Sequence, residues 1–237
     1  MNLVQVDHML RTLTTSVMML IACSAGAAAM EVEDLRFGFG VGPTPKGNAG
    51  TLTADSGGAL YTEATYASRS AGTLLISGTA GTLDPVGVLF GGELRYSAGE
   101  SSIDSLADNG VALPTPGIPE STYIESAAAL HAGFGWAPSE RTHVELLALA
   151  GFSYATLDSP ANVHTSNLGS QQGRGTGVLY GIRAGCFRTF DSQWQLGIEA
   201  EWTHTSVDLT TDYADSRLQS TVTTMGLGAR ALLGYRF

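Results

Sequence analysis

The sequence predicts an all-β protein. Its expected fold is an eight-stranded antiparallel up-and-down transmembrane β-barrel after an N-terminal signal peptide. Three observations carry that expectation. Apolar residues alternate with small or polar ones through most of residues 30–237. Charged residues make up only 14% of the chain, against about a quarter in ordinary soluble domains. Short and long connections also take turns, as they do at the two ends of an up-and-down barrel.

The first 29 residues stand apart. Arg11 is followed by an apolar stretch through Ile21 and Ala22, then by Ala27-Ala28-Ala29. This is the order of a secretory signal, with cleavage expected after Ala29. The stretch is too short for a spanning helix, which needs about 20 apolar residues. "LIAC" at 20–23 is a competing feature, because it resembles a lipobox and would make Cys23 a lipidated N-terminus. The domain expectation is a signal over 1–29 and one barrel over 30–237. Loss of 1–29 removes both Asp7 and Arg11, so the charge stays at the −10 of the full chain. Cys186 is then the sole cysteine, which excludes an intramolecular disulfide.

Eight strands are expected in order. "LRFGFGVG" (35–42) sets Leu35, Phe37, Phe39 and Val41 against Arg36 and glycines. The next strand, about 62–78, is the least regular. Over 86–97, Val88, Phe90, Leu94 and Tyr96 oppose Gly91, Glu93 and Arg95; over 123–136, Ile124, Ala128, Leu130 and Phe134 oppose Glu125 and His131. Over 142–154, Val144, Leu146, Phe152 and Tyr154 oppose His143, Glu145 and Ser153. Over 177–190, Val178, Tyr180, Ile182 and Cys186 oppose Arg183 and Phe187. Over 193–204, Trp194, Leu196, Ile198 and Trp202 oppose Gln195, Glu199 and Glu201. The last, 223–237, sets Met225, Leu227, Leu233, Tyr235 and Phe237 against Arg230 and Arg236. Turns are expected at 82–85, 137–141 and 190–193, and long loops at about 43–60, 98–121, 155–175 and 205–220.

Alternation alone leaves open which face is buried. A soluble barrel would turn its polar face to water and stud it with charge. Here that face is mostly Gly, Ser and Thr, and Lys46 is the only lysine. Small residues suit the crowded lumen of an eight-stranded barrel. Aromatic residues near the ends of the apolar faces (Tyr96, Trp136, Tyr154, Phe190, Trp194, Trp202, Tyr235, Phe237) match the two girdles of a membrane barrel. The runs are also long enough for the 9–11 tilted residues that cross hydrocarbon.

The ending "GLGARALLGYRF" resembles the C-terminal signal of bacterial outer-membrane β-barrels, where alternating apolar residues finish on an aromatic. The whole mature chain resembles the small eight-stranded outer-membrane proteins of the OmpA-barrel, OmpX and opacity-protein type. The resemblance implies insertion by the outer-membrane assembly machinery, with Tyr235 and Phe237 as the signal that it reads. It also implies a place in the bacterial outer membrane, among lipid and lipopolysaccharide. A peptidoglycan-binding domain of the full-length OmpA kind is not expected.

Candidate sites are few. Arg36, Glu63, Arg69, Glu93, Arg95, Glu125, His131, His143, Glu145, Arg183, Glu199, Glu201, Arg230 and Arg236 are expected to face the lumen. Charges at membrane depth must be paired or hydrated, so a mutually satisfied network is the first expectation and a polar path for water or ions the second. The two histidines and several glutamates lie on different strands without diagnostic metal spacing, so no metal or other cofactor is expected. "HTSNLG" (164–169) faintly resembles the His-x-Ser-Asn segment of lipid A deacylases, which would make His164 a base and Ser166 a nucleophile. It falls in loop composition, and a second "HTS" at 204–206 shows how readily the triplet arises. The acids of 103–110 and 207–216 lack EF-hand spacing. Cys186 is expected on the lipid face. The acidic balance argues against nucleic acid, whose phosphates need clustered Lys and Arg. The expected role is non-enzymatic, with surface loops serving envelope integrity, adhesion or interaction with an unknown ligand. A small channel or carrier is the alternative, and a deacylase-like enzyme ranks third.

Overall fold

A computed structural model describes residues 30–67, 69–113, 121–159, 171–213 and 216–237. The expected signal segment, and His164 and Ser166, lie outside the described residues. The strands are β1 (Met30–Pro43), β2 (Pro45–Ala54), β3 (Ala59–Tyr66), β4 (Ser70–Leu83), β5 (Val86–Ser101), β6 (Ile103–Asp108), β7 (Val111–Leu113), β8 (Ser121–Ser139), β9 (Thr142–Ser159), β10 (Gln171–Thr189), β11 (Trp194–Tyr213) and β12 (Ser216–Arg236).

Eight of them close a ring. The order is β1-β4-β5-β8-β9-β10-β11-β12, and antiparallel pairing of β1 with β12 completes it, Leu35 opposite Tyr235 and Val41 opposite Ala229. Closure leaves no unpaired edge along the ring, which is the condition for crossing lipid with strands. The alternation sorts the faces as expected. Phe37, Phe39, Phe90, Leu130, Phe152, Ile198 and Leu227 stand outside, whereas Arg36, Arg183, Glu145 and Phe187 are buried inside. Cys186 is on the outer face.

The turn end and the loop end differ in reach. At the turn end, β4 and β5, β8 and β9, and β10 and β11 follow one another across Asp84–Pro85, Glu140–Arg141 and 190–193. At the loop end the wall continues well past the ring. β2 extends β1 and pairs with the upper part of β12, from Pro45 opposite Thr224 to Ala54 opposite Ser216. β3 pairs with β2, β6 with β3, and β7 with β6. Asn109 and Gly110 both have positive φ between β6 and β7, the two-residue hairpin chemistry of an Asn-Gly pair.

Five expectations therefore change. The expected loop 98–121 carries the end of β5, all of β6 and β7 and the start of β8, and 155–159 and 171–175 belong to β9 and β10. The irregular second strand, 62–78, is two strands, β3 and β4, separated at 67–69. The stretch 43–60 contains β2 and the start of β3, and 205–220 is the paired upper half of a long hairpin between β11 and β12. Loop-like composition is misleading here because β2, rich in Gly and Thr, has both faces partly wet, and because the buried face of 205–220 is half Thr and Ser, which carry little apolar alternation to read.

The break at Thr44 has a backbone cause. Pro43 and Pro45 have no N–H and cannot donate to the ladder. Thr44 is buried between them, and its hydroxyl accepts from Arg69 N–H at 3.1 Å and donates to Arg69 C=O at 2.9 Å.

Candidate functional site: the lumen

Twelve lumen charges expected from the alternation are buried within the ring: Arg36, Glu93, Arg95, Glu125, His131, His143, Glu145, Arg183, Glu199, Glu201, Arg230 and Arg236. Glu63 and Arg69 are not among them. Both are exposed at the loop end, Glu63 on β3 and Arg69 in the connection between β3 and β4. Two inward groups escaped the sequence reading. Asp34 shares the parity of Arg36, but that strand was started at Leu35, one residue too late. Gln195 shares the parity of Glu199 and was read only as part of a polar face.

The charges form two clusters. In the one nearer the turn end, Arg36 lies between Asp34, at 2.8 Å, and Glu145. The two ring nitrogens of His143 lie 3.3 Å from Arg36 Nη2 and 3.4 Å from Arg236 Nη2. With its amide oxygen toward Arg236, Gln195 accepts from Arg236 Nη2 at 3.0 Å and donates to Asp34 Oδ2 at 3.1 Å. Phe187 roofs this cluster. Its ring centroid lies 3.7 Å from the Arg36 guanidinium carbon and 5.1 Å from that of His143, on which it stacks, a cation–π and aromatic contact in a water-poor setting.

The second cluster is a chain of alternating sign. Arg95 bonds Glu93 and Glu201, each at 2.8 Å. Arg183 bonds Glu93 and lies 3.2 Å from Glu199. Arg230 bonds Glu199 at 2.9 Å and also Glu201. Three guanidinium groups thus meet three carboxylates. His131 Nε2 lies 3.2 Å from Thr79 Oγ1, and its Nδ1 3.3 Å from Arg183. Glu125 stands apart and accepts from the Tyr123 hydroxyl at 3.0 Å.

Apolar layers alternate with the ionic ones. Leu75, Phe187 and Leu232 pack together, and on β12 the inward order Arg236, Leu232, Arg230 sets that layer between the two clusters. Met30, Val32, Leu83, Leu89, Ala137 and Leu147 pack at the turn end. At the loop end, Ala64 and Tyr66 of β3 lean inward onto Tyr123, Leu157, Val207, Leu209 and Val222. Burial pushes the Tyr66 hydroxyl up to about 12, as desolvation of a phenolate requires.

Chemically, the arrangement favours mutual charge compensation over catalysis. Most carboxylates and guanidinium groups are engaged with each other. Among the described residues, no group of three or more His, Cys, Asp or Glu is placed to hold a metal ion.

Comparison with known proteins supplies the family. A family model for the outer membrane protein beta-barrel domain matches residues 15–237. No curated protein matches the chain in sequence. Among solved structures, the outer membrane protein OprG from Pseudomonas aeruginosa is similar, with TM-score 0.51 and 12% identity over 89% of this chain and 98% of that one. The outer membrane protease OmpT from Escherichia coli gives TM-score 0.38 and 11% identity over 86% and 97%. Ail, the attachment invasion locus protein of Yersinia pestis, gives 0.34 and 12% over 85% and 99%. The overlap with OprG bears on the fold alone. The chain belongs to the family of outer membrane protein beta-barrel domains and is a protein of the bacterial outer membrane.

Proposed function

We propose that this chain acts at the cell surface through its extracellular wall, with the barrel as a membrane anchor and without enzymatic activity. The filled lumen carries the reading. Two ion-paired clusters, an apolar layer between them and an apolar cluster at each mouth leave the interior occupied by side chains along its length. An eight-stranded barrel has an interior that side chains just fill. The wall formed by β2, β3, β6 and β7 gives the chain a rigid structure above the membrane, since short turns face the periplasm and long connections the outside. It is the surface on which adhesion or another interaction would act.

Single-channel recording in planar bilayers tests the reading. The refolded protein is expected to insert without discrete conductance steps. Steps that disappear on changing Glu145 or Arg230 would replace this reading with the channel.

We also propose that Tyr235 and Phe237 serve the outer-membrane assembly machinery. Their rings meet edge-on at 5.4 Å, and Tyr235 meets Trp194 at 5.5 Å. Phe237 is exposed on the outer face beside the closing seam. The amount of folded Phe237→Ala in outer membranes, compared with wild type, tests the role: a fall is expected, and an equal amount would exclude it.

A further inference from the structure

One carboxylate of the lumen has no guanidinium partner. Within the ring, the buried acids are Asp34, Glu93, Glu125, Glu145, Glu199 and Glu201, and the buried bases are Arg36, Arg95, Arg183, Arg230 and Arg236. Six carboxylates thus face five guanidinium groups. The histidines do not make up the difference. His131 Nδ1 lies 3.3 Å from Arg183 Nη2, and His143 presents both ring nitrogens to arginine donors. A guanidinium only donates, and both nitrogens of an imidazolium are donors, so each ring is neutral.

The unmatched charge falls on Glu125. Its register partners are Ser97 on β5 and Ala155 on β9. Arg95, the next inward residue below Ser97, is committed to Glu93 and Glu201, each at 2.8 Å. Glu125 Oε2 accepts from the Tyr123 hydroxyl at 3.0 Å. Its Oε1 is buried and has no hydrogen-bond partner. A hydrogen bond from a neutral hydroxyl does not cancel the charge, and a buried carboxylate in that state is costly.

Neutral oxygens surround it. Thr205 of β11 approaches the carboxylate from across the lumen. Ser153 of β9, one inward step below Ala155, has a buried hydroxyl without a partner of its own. Ser153 and Ala155 stand opposite Gly177 and Gly175 on β10, which put no side chain into the lumen and so leave space at this level. Above, the apolar cluster of Tyr66, Leu157, Val207, Leu209 and Val222 shuts out bulk water. Below lies the second ionic cluster. One carboxylate among hydroxyls is a hard, all-oxygen donor set of the kind that alkali and alkaline-earth cations take. A single unmatched charge, with no second unpaired carboxylate beside it, selects a monovalent ion over a divalent one.

We infer that this chamber binds one alkali-metal cation, with Glu125 as its charged ligand and the hydroxyls of Ser153 and Thr205 beside it. The ion ties β8 to β9 and β11 beneath the apolar mouth. The inference concerns the lumen alone and holds whatever the extracellular wall contacts.

Urea unfolding of the barrel refolded into vesicles tests it, in sodium, potassium or choline chloride at equal ionic strength. Choline is too bulky for the chamber. A resident ion stabilises the folded state by mass action, so the wild-type midpoint is expected to be higher in sodium or potassium than in choline. Glu125→Gln keeps the shape and removes the charge, and one midpoint is expected in all three salts. Thr205→Val removes a neutral ligand. The alkali concentration for half the effect should then rise about fivefold, the equivalent of one hydrogen bond lost. In zwitterionic micelles, folded wild type should broaden the sodium NMR line, and folded Glu125→Gln should not. Equal wild-type midpoints in the three salts, or a sodium line that wild type leaves sharp, would overturn the site and leave a proton as the compensating charge. An alkali effect that survives Glu125→Gln would overturn its location.

Discussion

Thr44 satisfies both backbone polar groups of Arg69 with one hydroxyl, accepting from its N–H at 3.1 Å and donating to its C=O at 2.9 Å. The contact joins the barrel ring to the extracellular wall, at the point where Pro43 and Pro45 interrupt the ladder. Thr44→Val keeps the shape and removes both bonds. At about 1 kcal/mol each, the loss of about 2 kcal/mol should speed amide hydrogen exchange at Arg69 by roughly thirtyfold. Thr44→Ser restores the hydroxyl and should restore protection. Unchanged exchange in Thr44→Val would mean that the wall is held elsewhere.

Arg230 compensates Glu199 and Glu201 together. Arg230→Met leaves both carboxylates short of a partner in the lumen, and breaking such a buried pair costs about 3–5 kcal/mol. Urea unfolding of the protein refolded into vesicles reads this as a lower midpoint. Adding Glu199→Gln and Glu201→Gln to Arg230→Met should recover part of the loss, because fewer uncompensated charges remain. A midpoint unmoved by Arg230→Met would indicate a lumen hydrated enough to dispense with the pairing.

Phe187 lies across its register partner Gly197, where a β-carbon would come within 2.3 Å of the ring. An aromatic covering a strand glycine in this way shields backbone that has no side chain of its own. Gly197→Ala forces the ring off the wall and away from Arg36, with an overpacking cost of about 1–3 kcal/mol. Phe187→Leu in the same chain should relieve the clash, so the two changes together cost less than their sum. Additive losses would mean that ring and wall are uncoupled.

Tyr66 supplies a pH dependence at the extracellular mouth. Its hydroxyl is raised from 10.0 to about 12 by burial, whereas an exposed phenol ionises near 10. The unfolded chain therefore loses this proton first. The contribution of Tyr66 to stability is complete below pH 10 and is lost as pH rises through 12. Absorbance titration of phenolate should contain a component with a midpoint of about 12 that is missing in Tyr66→Phe. A wild-type titration in which Tyr66→Phe removes only a component near 10 would place this side chain in water.

The ring was legible in the sequence because lipid and lumen impose opposite demands on successive residues. Leu196, Ile198 and Trp202 against Gln195, Glu199 and Glu201 fix strand, face and depth without any knowledge of neighbours. The twelve lumen charges followed by parity alone. Asp34 was missed only because the first strand was begun at Leu35. The extracellular wall was not legible in this way. Strand β2 has both faces largely in water, so no solvent contrast writes a period into Thr51 or Thr53, and the upper halves of β11 and β12 bury Val207, Leu209 and Val222 against Ala64 and Tyr66 of β3, a partner that their own stretch does not reveal.

Alternation by itself determined the barrel, its membrane setting and which side chains point inward. Only the tertiary structure decided who meets whom. Glu93 bonds Arg183 from ninety residues away, and Arg36 reaches Glu145 across the lumen. Closure and strand register set those distances, and they are properties of the whole ring that no local stretch of sequence encodes.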